Sequence, residues 1–255
     1  MFAQFELTCD RFLGGRLSLF QPKTGYRAGI DPVLLAAAVP AQRGDRILDL
    51  GCGAGAAALC LSARVAGLRV TGVEMQPSYA DLARRNAAAN GLPLDVVEAD
   101  LADLPAGLRQ EMFSHVIANP PYFRRTRGTG AADNGRETAL GGDTPLAAWI
   151  DCAARRLMPR GRLTMIQRAE RLPEMLGALD DARLGGACVR PLAPRSGRPA
   201  KLILLSAIKG GRATFRLLPP LALHAGAAHV CDGDDYTPEI SAVLREAAQL
   251  PWPDA

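Results

Sequence analysis

The chain has 255 residues, 48% of them hydrophobic and 22% charged, a balance that excludes disordered and fibrous classes. A formal charge of +4 permits an anionic partner without demanding one, and only three of the thirty basic residues are lysine (Lys23, Lys201 and Lys209). No apolar run approaches the roughly 18–20 residues that span a membrane, and the start MFAQFELTCDRF lacks a secretory pattern. The six cysteines (Cys9, Cys52, Cys60, Cys152, Cys188 and Cys231) form no CxxC pair, and no histidines stand at metal-ligand spacing. The expectation is a cytoplasmic protein with reduced thiols, no metal and no membrane association.

In chain order, residues 32–39 form a short apolar helical segment. From residue 46, apolar runs alternate with helical patterns. RILDL (46–50), RVTGVE (69–74), LDVVEA (94–99), SHVIAN (114–119) and RLTMIQ (162–167) predict strands, with helices at 56–66, 77–90 and 146–157. Near-continuous apolar strands alternating with helices argue for an α/β fold whose parallel sheet is buried on both faces. Later, ACVRPL (187–192) and KLILLSAI (201–208) enclose the turn-rich APRSGRPA, short enough for antiparallel pairing. In YTPEISAVLREA, Thr237 is an N-cap and Pro238 the first residue of a terminal helix. One structural domain is expected, with residues 1–45 as an extension to 46–255.

The first predicted strand runs into ILDLGCGAG (47–55). Glycines between a strand and a helix allow a tight turn and close approach of a ligand, and N–H groups at the helix start favour polar or anionic groups. Gly51, Gly53 and Ala56 also satisfy the dinucleotide pattern G-x-G-x-x-G/A. Asp49 shifts the balance, because a carboxylate there can face a cationic group and would gain nothing from a pyrophosphate. Glu74 ends the second strand, where it can accept hydrogen bonds from two ribose hydroxyls, as in nucleotide sites. Asp100 follows the third strand and is an adenine contact, a helix N-cap or a surface acid.

The fourth strand leaves through HVIANPPYFRRTRG (115–128). Pro120 and Pro121 lack N–H groups, so the chain can neither extend a central strand nor enter a helix interior. Each residue ahead of a proline is held extended. The outcome is a stiff exit presenting an amide side chain, carbonyl oxygens and aromatic rings, which is either ordinary loop punctuation or a site for a flat, amine-bearing substrate.

Together DLGCGAG, GVE, EAD and NPPY, in that order, resemble the motifs of class I S-adenosylmethionine (SAM) dependent methyltransferases. That resemblance implies a Rossmann-like seven-stranded, mostly parallel sheet with helices on both faces and an antiparallel last strand. It implies SAM as cofactor, bound by Arg27, Asp31, Asp49, Gly51, Cys52, Gly53, Gly55, Glu74, Met75, Asp100, Leu101 and Asn119. Catalysis falls to Asn119, Pro120, Pro121 and Tyr122. Asn119 and the Pro120 carbonyl accept the two N–H groups of an exocyclic amine, and Tyr122 stacks on its ring. His115 is expected to pack beside the sheet and not to act as a base.

DRFLGGRLSLFQPKTGYRAGIDPVLLAAAV and the tail DGDDYTPEISAVLREA resemble the bacterial tRNA1(Val) adenine-37 N(6)-methyltransferase family, with Ile30 where that family has threonine. About 45 residues precede the first strand, leaving little room for the added domains of glutamine or DNA methyltransferases. The family methylates the purine 3′ of the anticodon in a valine tRNA, so tRNA is the implied partner. Arg124, Arg125, Arg127 and Arg136, with Lys23, are the implied RNA contacts, although each taken singly reads as a solvated surface residue. Arg11, Arg16 and Arg27 join Lys23 in a second basic set. Alternatives are the same chemistry on rRNA guanine or a protein glutamine, a nicotinamide-dependent oxidoreductase, and a non-catalytic RNA-binding module. The oligomeric state stays open between monomer and homodimer.

Overall fold

The computed structural model describes residues 1–122, 144–226 and 235–253. At its centre β3 (Arg46–Leu50), β4 (Arg69–Glu74), β5 (Asp95–Glu98), β6 (Phe113–Ala118) and β7 (Leu157–Arg168) run parallel. Antiparallel to β7 lies β9 (Leu202–Lys209), whose other side takes β8 (Leu184–Arg195), also antiparallel. Across the sheet the order is β8-β9-β7-β6-β3-β4-β5. From β3 the chain builds outward first to one side and then, through β6, to the other. That reversal opens a crevice at the carboxyl ends of β3 and β6, the usual ligand position in open α/β sheets.

These seven strands match the expected arrangement, including the reversed strand. Two short strands extend it to nine among the described residues. They are β10 (Arg216–Leu217), parallel to Cys188–Val189, and β11 (Leu221–His224), parallel to the end of β8. Pro219 and Pro220 separate them. Without N–H groups, the prolines split one edge strand into two pieces too short to read as a strand from sequence.

Successive strand residues point to opposite faces, and both faces are covered. Ile47, Ile117, Ile166 and Leu204 pack with α1 (Asp31–Ala37), α2 (Ala56–Arg64) and α7 (Pro238–Glu246). Their neighbours Leu48, Val116, Met165 and Leu205 face α4 (Ala106–Gln110), α5 (Leu146–Arg156) and α6 (Leu172–Asp181). Each such side chain contributes roughly 1.5–3 kcal/mol of burial. Inside the expected 1–45 extension, α1 therefore shares its core with β3 and β6. The terminal helix starts as expected, with Thr237 Oγ1 accepting the Ile240 N–H at 3.4 Å. Both α4 and α6 went unanticipated by the sequence reading.

Ahead of α1, β1 (Leu7–Phe12) and β2 (Leu17–Pro22) form an antiparallel hairpin outside the main sheet. Its β2 edge is closed by α3 (Pro77–Asn90). Asn86 accepts the Phe20 N–H at 2.8 Å and donates to the Phe20 carbonyl at 3.1 Å, and Asn90 does the same for Ser18 at 3.0 and 2.8 Å. Four helical residues rise about 6 Å and two strand residues about 6.6 Å. Two asparagines one turn apart can thus stand in for a missing partner strand. Asn86 also donates to the Ala54 carbonyl at 2.9 Å, tying hairpin and helix to the glycine loop.

Candidate active site

A cavity of about 200 Å³ opens where β3, β4 and β6 end. Its floor is the glycine loop. Gly51 has φ +64°, and a Cβ there would lie 2.5 Å from the Trp149 ring. Any side chain would therefore meet both a backbone penalty and a clash. The loop is knitted to β4 by the Cys52 N–H, which donates to the Val73 carbonyl at 2.9 Å.

Glu74 holds the same loop from the side. Only 6% exposed, it accepts the Gly53 N–H at 2.9 Å and the Gln76 N–H at 2.8 Å, one on each carboxylate oxygen. Burial raises its pKa, and these backbone donors oppose the shift. With the Met75 N–H as a third backbone donor, the carboxylate keeps one of its roughly four acceptor positions for a ligand.

Asp49, at the last-but-one position of β3, is 2% exposed, and its Oδ2 has no hydrogen-bond partner. Burial pushes its carboxyl up to about 8, the Ala58 N–H pulls it down, and the negative charge of Glu74 adds to the rise. A buried polar atom without a partner costs free energy, so this wall of the cavity leaves one polar position open.

Met75, 53% exposed, joins Ala99 and Leu101 along the wall by β4 and β5. Asp100 lines the cavity too, and its Oδ1 accepts the Ala102 N–H at 2.9 Å. That bond closes a turn, and no helix starts there, since α4 begins at Ala106 after Pro105, so the expected helix N-cap is not formed.

The opposite wall is the segment after β2. Gln21 clamps Ala28, accepting its N–H at 2.7 Å and donating to its carbonyl at 3.2 Å. Arg27 lines the cavity, but its guanidinium is engaged with the hairpin. It donates to Thr8 Oγ1 and the Pro22 carbonyl at 2.8 Å, and to Asp10 at 2.6 Å. Arg27 thus holds the wall of the cavity that it lines.

Tyr26 is one residue that sequence reasoning missed. Its hydroxyl accepts from Asn119 Nδ2 at 3.4 Å, and its carbonyl accepts from the Tyr79 hydroxyl at 3.1 Å. Burial, with Asp31 and Asp49 nearby, pushes its phenol above the ordinary range. A lone tyrosine in PKTGYRAG carries no local signal of such a partner.

Asn119 to Tyr122 leave β6 beside the glycine loop, since Ala118 is in register with Leu50. All four line the cavity. The Pro120 carbonyl accepts from Gln167 Nε2 at 3.2 Å, and the Tyr122 hydroxyl donates to Asp31 Oδ2 at 2.6 Å. His115 lies nearer the opposite end of β6, buried, with Nε2 3.3 Å from Asp45, and burial lowers its pKa. It packs beside the sheet as expected.

Of the RNA-contact residues, Lys23 is exposed just past β2 and does not line the cavity. Arg124, Arg125, Arg127 and Arg136 lie outside the described residues. Among the described residues no group of three or more His, Cys, Asp or Glu is placed to hold a metal, and no helix is long and apolar enough to cross a membrane. Cys9, Cys52, Cys60, Cys152 and Cys188 are free thiols.

Residues 28–179 match the methyltransferase small domain family. The tRNA1(Val) (adenine(37)-N6)-methyltransferase of Dickeya chrysanthemi is 31% identical over 232 residues, covering 88% of each chain. Its namesake in Porphyromonas gingivalis is 34% identical over 175 residues, 65% of this chain and 68% of its own. Among solved structures, a predicted O-methyltransferase from Agrobacterium tumefaciens aligns with a TM-score of 0.71 at 31% identity, covering 87% of this chain and 99% of its own. A SAM-dependent O-methyltransferase from Thermotoga maritima, 19% identical with a TM-score of 0.54 over 74% of this chain and 68% of its own, shares the fold. The chain belongs to the methyltransferase small domain family of class I methyltransferases.

Proposed function

We propose that the protein transfers the methyl group of SAM to the N6 amine of an adenine in tRNA, next to the anticodon. The observation that carries this reading is the meeting of Asn119, Pro120 and Tyr122 with the Asp49–Glu74 pocket in one cavity. The target follows the relatives named for tRNA1(Val) adenine-37.

The cofactor fits on the strength of Asp49, whose buried, unpartnered Oδ2 suits the ammonium of its methionine portion. Glu74 offers its remaining acceptor position to the ribose hydroxyls, Met75 and Leu101 an apolar surface to the adenine ring, and Asp100 an acceptor to its edge. Asp31, Gly51, Cys52 and Gly53 also line the cavity, whereas Gly55 does not, since a Cβ there would meet Leu94, Leu59 and Ala83. When bound, SAM supplies an electrophilic methyl on a sulfonium sulfur.

An exocyclic amine on a purine is a weak nucleophile because its lone pair is delocalised. Asn119 Nδ2 turns toward Tyr26, which leaves Oδ1 for one N–H of the amine. The Pro120 carbonyl has one lone pair on Gln167 and a second for the other N–H. Both contacts raise electron density on nitrogen and aim its lone pair at the methyl. Tyr122 stacks on the ring, a contact worth about 1–3 kcal/mol per base. With SAM bound, its methyl group would pass to the amine nitrogen held by Asn119 and Pro120, and that amine would give up one proton to water. Orientation and electrostatics carry the rate.

An anticodon loop is single-stranded, so its base enters a pocket at modest cost. Lys23, Arg124, Arg125, Arg127 and Arg136 are assigned to the RNA phosphates, and the activity to the cytoplasm. The test is incubation with methyl-labelled SAM and tRNA from a strain lacking the gene, followed by digestion to nucleosides. Label in N6-methyladenosine is expected. Label in a guanosine, in a ribose-methylated nucleoside or only in a protein acceptor would overturn the target.

A further inference from the structure

We infer that Asp31 is a positioning residue for methyl transfer, fixing and polarising the Tyr122 ring through its carboxylate instead of binding the cofactor. The inference rests on the proposed stacking of the acceptor base on Tyr122. It reassigns a residue expected on sequence grounds to belong to the cofactor set.

Geometry is the first support. The Tyr122 hydroxyl donates to Asp31 Oδ2 at 2.6 Å across 91 residues of chain. That length falls in the range of a charge-assisted O–H···O⁻ bond, roughly twice as strong as a neutral one. Both ends sit on stiff supports. Asp31 opens α1, whose next six residues are all buried. The far end of that helix is held by Arg64, which donates to the carbonyls of Ala36 (3.1 Å) and Val39. Tyr122 follows two prolines, the first anchored through its carbonyl to Gln167.

Electrostatics gives the bond a catalytic consequence. Burial raises the Asp31 pKa, while the bond to Tyr122 lowers it, so the bond favours the carboxylate. A phenol drawn toward a carboxylate carries more electron density in its ring. Moving a methyl cation onto an exocyclic amine places positive charge on the base, and an electron-rich face attracts that charge. The attraction is stronger in the transition state than before reaction, so it belongs to turnover and not to affinity. Tyr26 lies within the field of the same carboxylate. The segment after β2 therefore bears on both the acceptor amide, through Tyr26, and the stacking ring, through Asp31.

The test is a double-mutant cycle with Asp31→Asn, Tyr122→Phe and the double variant. Methyl transfer gives kcat and KM for the RNA, calorimetry gives the Kd for SAM, and thermal melting checks folding. Each single variant is expected to lower kcat on the order of tenfold, about 1.4 kcal/mol. The double variant should fall no further than either single one. KM and the SAM Kd should stay within about twofold of wild type, well under that 1.4 kcal/mol. Multiplying kcat losses, or weaker SAM binding by Asp31→Asn in both backgrounds, would overturn the inference and return Asp31 to the cofactor. If Asp31→Asn does not fold, Tyr122→Phe decides alone, because wild-type turnover in it removes any role for the bond. Failure of the target reading is told apart by the wild-type product. A labelled nucleoside other than N6-methyladenosine changes the acceptor on which the same cycle is run.

Discussion

Gln167, wholly buried on β7, donates its side-chain N–H to the Pro120 carbonyl at 3.2 Å, while its side-chain Oε1 accepts the Arg168 backbone N–H at 2.9 Å. Parallel pairing of β6 with β7 sets Ala118 opposite Met165, which brings Gln167 level with the proline exit. The residue aims a carbonyl that proline's missing N–H cannot help to aim.

Gln167→Leu should therefore leave a buried carbonyl without its donor. The expected cost is about 1–3 kcal/mol of stability, with a fall in kcat larger than any change in the SAM Kd. Urea unfolding and methyl-transfer kinetics check both. A fully stable and active variant would remove Gln167 from the support of the loop.

Asp49 ties cofactor binding to pH. Its folded-state pKa of about 8 lies above the ordinary 3.8, so near neutrality the empty site holds a proton. Binding a cation there should release that proton, and affinity for SAM should rise with pH until about 8 and then level. Calorimetry in two buffers of different ionisation enthalpy reads the release directly. For stability the sign runs the other way. Between 3.8 and about 8 the folded state binds the extra proton, so this group's contribution declines as pH rises through that window. Asp49→Asn should flatten that decline while weakening SAM binding by roughly tenfold or more. Unchanged affinity would remove the carboxylate from the cofactor site.

Glu74 is expected to act twice. Glu74→Ala takes away the acceptor of the Gly53 and Gln76 N–H groups. Removing it should loosen the glycine loop, speed hydrogen exchange at Gly53, and lower SAM affinity together with stability. Slow exchange retained at Gly53 would mean that the loop holds itself.

The two-asparagine clamp predicts a local effect. Asn86→Ala frees the N–H and carbonyl of Phe20 and the carbonyl of Ala54. A loss of about 1–3 kcal/mol is expected, with faster exchange at Phe20 than in β3. Equal protection in the two strands would show that the hairpin needs no such partner.

Much of this protein was legible in its sequence. The strands at 46–50 and 69–74 and the helix at 77–90 coincide with the structure, because side-chain periodicity and turn chemistry are local. The glycine loop, Glu74 and the Asn119–Tyr122 exit were readable for the same reason, each being a short run with its own backbone demands. The edge strands β10 and β11 were not. Their pairing comes wholly from β8, and Pro219 and Pro220 break the pattern that would have marked them.

What tertiary structure alone decided is which polar groups meet. Tyr122 finds Asp31 across 91 residues, Gln167 finds Pro120 across 47, and Asn86 finds Phe20 across 66. Arg27 is drawn to the hairpin, Tyr26 to Asn119, and one oxygen of Asp49 is left unpartnered. A side-chain hydrogen bond depends on distances and angles of tenths of an ångström between elements remote in the chain. No residue spacing encodes them. Sequence determined the sheet and the kind of chemistry at its edge, and packing determined which residues hold that chemistry in place.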